Sequence, residues 1–230
     1  MPPAIKKAGF TAVQPQLYQP GSEDYTQQIS AFKKAGCDIQ FGVANAPDFA
    51  NFWKQCLQQG YNPKLMGCAK ALVQPEELNA LGDIGIGLYT SAGWHPSWPF
   101  KDSLTGMTCQ EISDEYEQIT GREWATVIQE YPRFEWAVDV LKRAKDMDSA
   151  EALLAAVVTT KMETIIGPLD PTSPVKMGTD HPVPNVYRPQ YAGGQWRKGT
   201  KWPYELYVMS NAGAPLVTVQ SKIQPMVYSS

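Results

Sequence analysis

Residues Ile39–Gly67, "IQFGVANAPDFANFWKQCLQQGYNPKLMG", hold one complete structural unit. A short apolar run leads into the tight polar turn Asn45-Ala46-Pro47-Asp48. Apolar residues then fall at Phe49, Phe52, Trp53, Cys56 and Leu57 until Gly60 stops the pattern. That spacing predicts a strand followed by an amphipathic helix. Asn45 and Asp48 suit an N-cap and N3 pair, and Pro47 is acceptable in a first helical turn.

The same unit recurs outward. "FTAVQPQLY" (10–18) reads as a strand, and "GSEDYTQQISAFKKAG" as a helix with Tyr25, Ile29 and Phe32 on one face. "PKLMGCA" predicts a further strand, "QPEELNALG" a short helix and "GIGLYTSAG" a fourth strand. Strands alternating with helices of this length imply right-handed crossovers and a mainly parallel sheet. "WHPSWPFKDSLTGMT" breaks the pattern with two prolines and reads as a crossing segment. Helices are then expected at "TCQEISDEYEQITG", closed by Gly121, and across "EWATVIQEYPRFEWAVDVLKRAKD", divided near Tyr131 by Pro132. In the second of these, Phe134, Ala137, Val138 and Leu141 make the expected buried stripe. Ser149 should N-cap "AEALLAAVV". "METIIGPLD" reads as a short strand before a Pro-rich loop to about Asn185, and "VYRPQYAGGQWRKGTKWPYELYVMSN" as two antiparallel strands.

Composition narrows the function classes. The 230 residues carry a formal charge of −3, which gives no electrostatic reason to expect nucleic acid or an anionic membrane as partner. No apolar run approaches the roughly 18 residues of a membrane span. The opening "MPPAIKKAGF" lacks a signal-peptide core, and Ile5–Gly9 reads as a last helical turn with basic residues and a Gly stop. A domain rarely begins there, so the expectation is a fragment. Cys37, Cys56, Cys68 and Cys109 show no metal spacing and read first as small buried hydrophobes.

Catalytic signatures are not found. The two histidines, His95 and His181, lie beside prolines in loop-like sequence. "GIGLYT" (85–90) lacks the third glycine and the acidic residue of a dinucleotide site. Carboxylate pairs fall on helix surfaces. No cofactor, metal site or enzymatic activity is expected. Fold logic selects a different set, because ligands of open α/β sheets sit beyond the carboxyl ends of the strands. That rule picks Tyr18, then Asn45 and Ala46, then Ala69 and Lys70, then Ser91 to Trp94. An aromatic, an amide, a cation and an indole suit a small polar or carboxylate ligand with an apolar body. Each also has a plain structural reading: an edge cap for Tyr18, an N-cap for Asn45, solvation for Lys70 and packing for Trp94.

The stretches "YQPGSEDYTQQISAFKKAGCDIQFGV", "DFANFWKQCLQQGYNPKLMG", "ALGDIGIGLYTSAGWHPSWPF", "FEWAVDVLKRAKD", "ETIIGPLD" and "AGGQWRKGTKWPYELYVMSN" together resemble ligand-binding proteins of ABC importers. The family is that of the leucine/isoleucine/valine-binding, type I periplasmic proteins, matched in order from about residue 4 to residue 224. The resemblance implies an α/β, two-lobed type I periplasmic-binding-protein fold with parallel sheets flanked by helices, incomplete at the N-terminus. It implies a second-lobe segment over 1–88, a crossover or hinge at 89–104, first-lobe helices at 105–165, and a return crossing with C-terminal strands over 166–230. It also implies capture of a small solute between the lobes, an inner-membrane ABC permease as partner and a periplasmic location. A ligand-sensing domain of a receptor or regulator with the same fold is the alternative. The family's acidic residue after the third strand would fall at about Ala69, beside Lys70. Loss of an acid next to a cation favours an acid or amide over a plain α-amino acid. With the first strand of that lobe lacking, 10–18 should be left without a neighbour. The chain alone should then bind solute weakly until a further segment, or self-association, completes the sheet.

Overall fold

The computed structural model describes residues 2–172, 175–176, 182–183 and 186–228. A short helix, α1 (Pro2–Lys7), ends at Gly9, whose φ of 86° only glycine adopts without strain. Three α/β units follow. They comprise α2 (Thr26–Lys34), β1 (Ile39–Gly42), α3 (Ala46–Gln58), β2 (Leu65–Cys68), α4 (Pro75–Leu81) and β3 (Tyr89–Ala92). β1 and β2 pair in parallel, as do β2 and β3. The connecting helices bury the apolar side chains that periodicity assigns to them: Ile29, Phe32, Phe49, Trp53 and Cys56 all lie in the core.

The middle of the chain is helical. α5 (Cys109–Thr120) starts at a complete capping box between Thr108 and Glu111 and ends at Gly121 in the left-handed conformation. A 3-10 turn, Thr126–Glu130, leads into α6 (Pro132–Arg143), which begins at the proline as the sequence predicts. α7 (Ala150–Val157) is capped by Ser149, whose hydroxyl accepts the Ala152 N–H at 3.3 Å. Among the described residues six more strands follow: β4 (Met162–Thr164), β5 (Gly167–Leu169), β6 (Val175–Lys176), β7 (Pro182–Val183), β8 (Ala192–Lys198) and β9 (Tyr204–Ser210). β8 and β9 form a hairpin that joins the sheet antiparallel to β3, giving the order β1-β2-β3-β8-β9.

Three expectations are corrected. Residues 10–18, read as a strand from their pattern, form no strand; they are left without a neighbour, as the resemblance implied. "METIIGPLD" is a hairpin rather than one strand: Gly167, at φ 98°, lets β5 fold back on β4. On α6 the apolar stripe is turned outward, with Phe134 66% and Leu141 46% exposed and Ala137 also exposed. The helix instead buries Glu135 and Val140.

The hydrogen bonds of Glu135 explain that rotation. Its carboxylate is fully buried. Oε1 accepts the Ser103 N–H at 2.8 Å and the Ser103 hydroxyl at 2.9 Å, while Oε2 accepts the Ile165 N–H at 3.2 Å. Trp136 adds a bond from its indole N–H to the Thr160 hydroxyl at 2.8 Å. These polar contacts outweigh the apolar stripe because a buried carboxylate without donors costs more than an exposed leucine.

Glu135 therefore ties α6 to two separate segments of the chain, at Ser103 and at Ile165. Glu135→Ala should lower stability by about 3 kcal/mol in urea unfolding. Glu135→Gln, whose amide oxygen still accepts two of the bonds, should lower it by less.

Candidate functional site

The carboxyl ends of β1, β2 and β3 lie side by side, and polar side chains gather at the tips. The tips are stapled together: the Ala69 N–H donates to the Gly42 carbonyl at 3.0 Å, and the Thr90 hydroxyl to the Cys68 carbonyl at 3.0 Å. The Ala44 N–H lies 3.2 Å from the Cys68 sulfur. Asn45 and Lys70 are both exposed on adjoining tips, and the Lys70 ammonium donates to Asn45 Oδ1 at 2.7 Å. Asn45 occupies the N-cap position of α3, yet its side chain makes no capping bond; the amide oxygen is engaged by the lysine instead. Ala46 and Ala69 are half-buried beside them.

Tyr18 stands on the other side of a groove of about 160 Å³ that runs beside β1. Its ring meets Tyr25 edge-on at 5.1 Å, and burial, with Asp48 and Cys68 nearby, raises its phenol pKa above the usual value. Asn45 and Lys70 sit beyond the groove's end rather than on its walls. Trp94 is fully buried against Trp124, ring centroids 5.5 Å apart, so its indole faces the core and not the groove. The structure thus brings Asn45, Ala46, Ala69 and Lys70 into one patch, with Tyr18 across the groove and Trp94 apart.

Sequence reasoning missed two contributors. Asp48 is 7% exposed, lines the groove and accepts the Gly21 N–H at 2.8 Å, with the Tyr25 hydroxyl at 3.4 Å. It holds the loop before α2 against α3 instead of supporting the Asn45 cap. The second is Gln129, whose Oε1 passes 1.5 Å from where a Cβ on Gly93 would stand. Only glycine admits this approach at the tip of β3. With the Thr126 hydroxyl donating to the Val73 carbonyl at 3.0 Å, the 3-10 turn covers the tips of β2 and β3 from above. The glycine after "YTSA" was the available signal for it.

A second cavity, about 280 Å³, lies between α5 and the tip of the β8–β9 hairpin. Glu117 anchors it, accepting Lys201 and the Trp202 indole N–H, the latter at 2.9 Å. His95, on the same cavity, is 5% exposed and bonded through Nε2 to the Leu206 carbonyl at 2.9 Å. Burial depresses its pKa to about 4, so at neutral pH it is an uncharged packing group. His181 lies outside the described residues. Nearby Glu123 has the opposite problem: burial, reinforced by Glu117, Glu205 and Glu76, pushes its pKa up to about 8. All four cysteines are free thiols. Burial raises Cys56 to about 12 and Cys109 to about 11, which leaves both unreactive. Among the described residues no group of His, Cys, Asp and Glu could hold a metal ion, and no helix is long and apolar enough to cross a membrane.

A family model described as periplasmic binding protein matches residues 3–189. Among solved structures, the chain is similar to a leucine-binding protein from Thermotoga maritima, with 15% identity and a TM-score of 0.64. That match covers 85% of this chain and 51% of the other. It is similar to a leucine-, isoleucine-, valine-, threonine- and alanine-binding protein from Brucella ovis in a closed conformation. There the identity is 14%, the TM-score 0.65, and the coverage 98% of this chain and 52% of that one. A solute-binding protein of an ABC transporter from Rhodopseudomonas palustris, in complex with 3,4-dihydroxybenzoic acid, matches at 17% identity and a TM-score of 0.56, covering 84% and 50%. The chain spans about half the length of these structures.

The two titrations set opposite limits on stability. The His95 imidazole is held neutral in the fold, so stability is complete above pH 6.5 and falls as pH drops toward 4. The Glu123 carboxyl keeps its proton in the fold, so its contribution is complete below pH 4.5 and is lost as pH rises through 8. The opposing slopes cancel between pH 4.5 and 6.5, so thermal midpoints should hold level there and fall on either side. Glu123→Gln should raise the midpoint at pH 8 by roughly 5 °C, equivalent to about 2 kcal/mol at this chain length, and change it little at pH 5.

Proposed function

The chain belongs to the periplasmic binding protein family, and from that premise we propose that it serves as part of the solute-binding component of an ABC importer. In this reading the chain captures a small solute and catalyses nothing. The sheet residues 10–88 and 166–230 belong to one lobe, residues 105–165 supply helices of the other, and 89–104 cross between them. An inner-membrane permease receives the solute, and the site of action is the periplasm.

One observation carries the reading: an ammonium, Lys70, held by Asn45 at the carboxyl tips of a parallel sheet, 2.7 Å from the amide oxygen. Tips of this kind are where open α/β sheets bind ligands. Lys70 has no carboxylate partner in its hydrogen bonding, so it is positioned to accept one from a ligand in a charge-assisted bond. Ala69, beside it, offers no acid that would draw an amine. The groove along Tyr18 and the aromatic side chains beneath it offer apolar contact to a ligand's body. The solute class that fits is a small carboxylate or amide with an aromatic or branched body. The aromatic acid bound by the R. palustris protein belongs to that class.

Titration calorimetry with benzoate and isopentylamine tests this. Benzoate should bind, weakly for half a cleft, and isopentylamine, a branched cation with neither carboxylate nor amide, should not. Lys70→Met should weaken benzoate binding roughly tenfold. Equal binding of benzoate by the Lys70→Met protein would overturn the assignment of that lysine. Preference for isopentylamine over benzoate would overturn the solute class.

A further inference from the structure

We infer that the cavity between α5 and the tip of the β8–β9 hairpin binds a small quaternary ammonium alcohol, with Trp124 and Trp202 beside its methyl groups and Ser113 on its hydroxyl. Both walls belong to this chain, and neither Asn45 nor Lys70 lines the cavity. The inference therefore stands apart from the solute-capture reading.

Ser113 is the first observation. It lies within α5, is only 2% exposed and lines the cavity. Its hydroxyl has no hydrogen-bond partner among the described residues. Native folds leave few buried polar groups unpaired, and alanine would suit a helix interior better than serine. A serine at this position is explained by a polar atom that enters from the cavity side.

Charge is the second observation. The cavity wall carries two carboxylates, Glu117 and Glu205, and one ammonium, Lys201. His95 adds no positive charge at neutral pH, because burial depresses its pKa to about 4. Arg197 stands over the Tyr207 ring at 5.3 Å but does not line the cavity. Negative charge is in excess on the lining, and Glu123 nearby reports the same field: burial, with Glu117, Glu205 and Glu76, keeps it protonated. A cation is the ligand that such a field attracts.

The hydrogen bonds of the two acids choose among cations. Glu117 accepts the Trp202 indole N–H on Oε1 at 2.9 Å and the Lys201 ammonium on Oε2. Glu205 accepts the Thr200 and Lys201 backbone N–H groups on Oε1 at 3.0 and 2.9 Å, and the Tyr207 hydroxyl on Oε2 at 3.3 Å. A primary ammonium would bring three donors to acceptors that already have partners. A quaternary ammonium brings none and needs only a negative field and aromatic faces. Trp124 and Trp202 supply the faces. Trp202 already stands beside one cation, the Lys201 ammonium, 6.0 Å from its ring centroid and paired with Glu117. The volume of about 280 Å³ is at the small end of ligand pockets, which begin at roughly 300 Å³. The ligand's hydroxyl then answers Ser113.

Titration calorimetry on the whole chain tests this with choline, ethanolamine, 3,3-dimethylbutan-1-ol and tetramethylammonium. Choline should bind saturably. Ethanolamine keeps the hydroxyl on a primary ammonium, and 3,3-dimethylbutan-1-ol is the uncharged isostere; each should bind at least about fivefold more weakly. Ser113→Ala should weaken choline roughly fivefold and leave tetramethylammonium, which has no hydroxyl, unchanged. Trp202→Leu, at a half-buried position and with circular dichroism unchanged, should weaken both cations about fivefold. Absence of saturable choline binding, or equal binding of its uncharged isostere, would overturn the inference. So would choline binding indifferent to Ser113→Ala, the result expected if water alone meets that hydroxyl, or indifferent to Trp202→Leu.

Discussion

Parallel pairing of β1, β2 and β3 is the constraint on which the rest of this structure depends. Parallel strands cannot be joined by a tight turn, so each must be followed by a crossover that returns the chain to the starting end. α3 and α4 are those crossovers, and their buried faces follow from having to lie on the sheet. The same requirement gathers all three carboxyl ends on one side, which is why Asn45 and Lys70 become neighbours despite their separation in the chain. The antiparallel β8–β9 hairpin then closes the sheet beyond β3 without adding another tip on that side.

Buried acids define how the helical region is held against this frame. Glu135 is satisfied by donors from two distant segments and orients α6 at the expense of that helix's apolar stripe. Asp48 does the same on a smaller scale for the loop before α2. Glu123 differs, since the charged groups acting on it are all carboxylates, and it keeps its proton to compensate. A chain with this arrangement tolerates moderate acid and alkali unequally, with the imidazole of His95 limiting one side and Glu123 the other.

The exposed apolar surfaces form a coherent set. The outer face of β1 and the outward stripe of α6 are apolar and largely exposed, at Ile39, Phe41 and Val43 on one and Phe134 and Leu141 on the other. The solved structures that share the fold are about twice as long as this chain. Sequence similarity reaches the family.

Helix starts and stops were legible in the sequence because they are local. The Thr108–Glu111 box, the Ser149 cap, Pro132 and Gly121 each act within a few residues of themselves. The strand–helix alternation was legible for the same reason, and it carried the α/β class. Other features needed the folded chain. An extended stretch such as 10–18 becomes a strand only if a partner lies beside it, and partners are nonlocal. Phe134 and Leu141 looked like core until Glu135 found donors at Ser103 and Ile165, more than twenty residues away in opposite directions. At the tips, residue types were readable but their pairings were not: Asn45 serves Lys70 rather than its own helix, and Trp94 turns inward to Trp124. Propensity and periodicity are properties of a segment, whereas the bonding of a polar side chain is decided by whichever donor the tertiary fold places within about 3 Å of it.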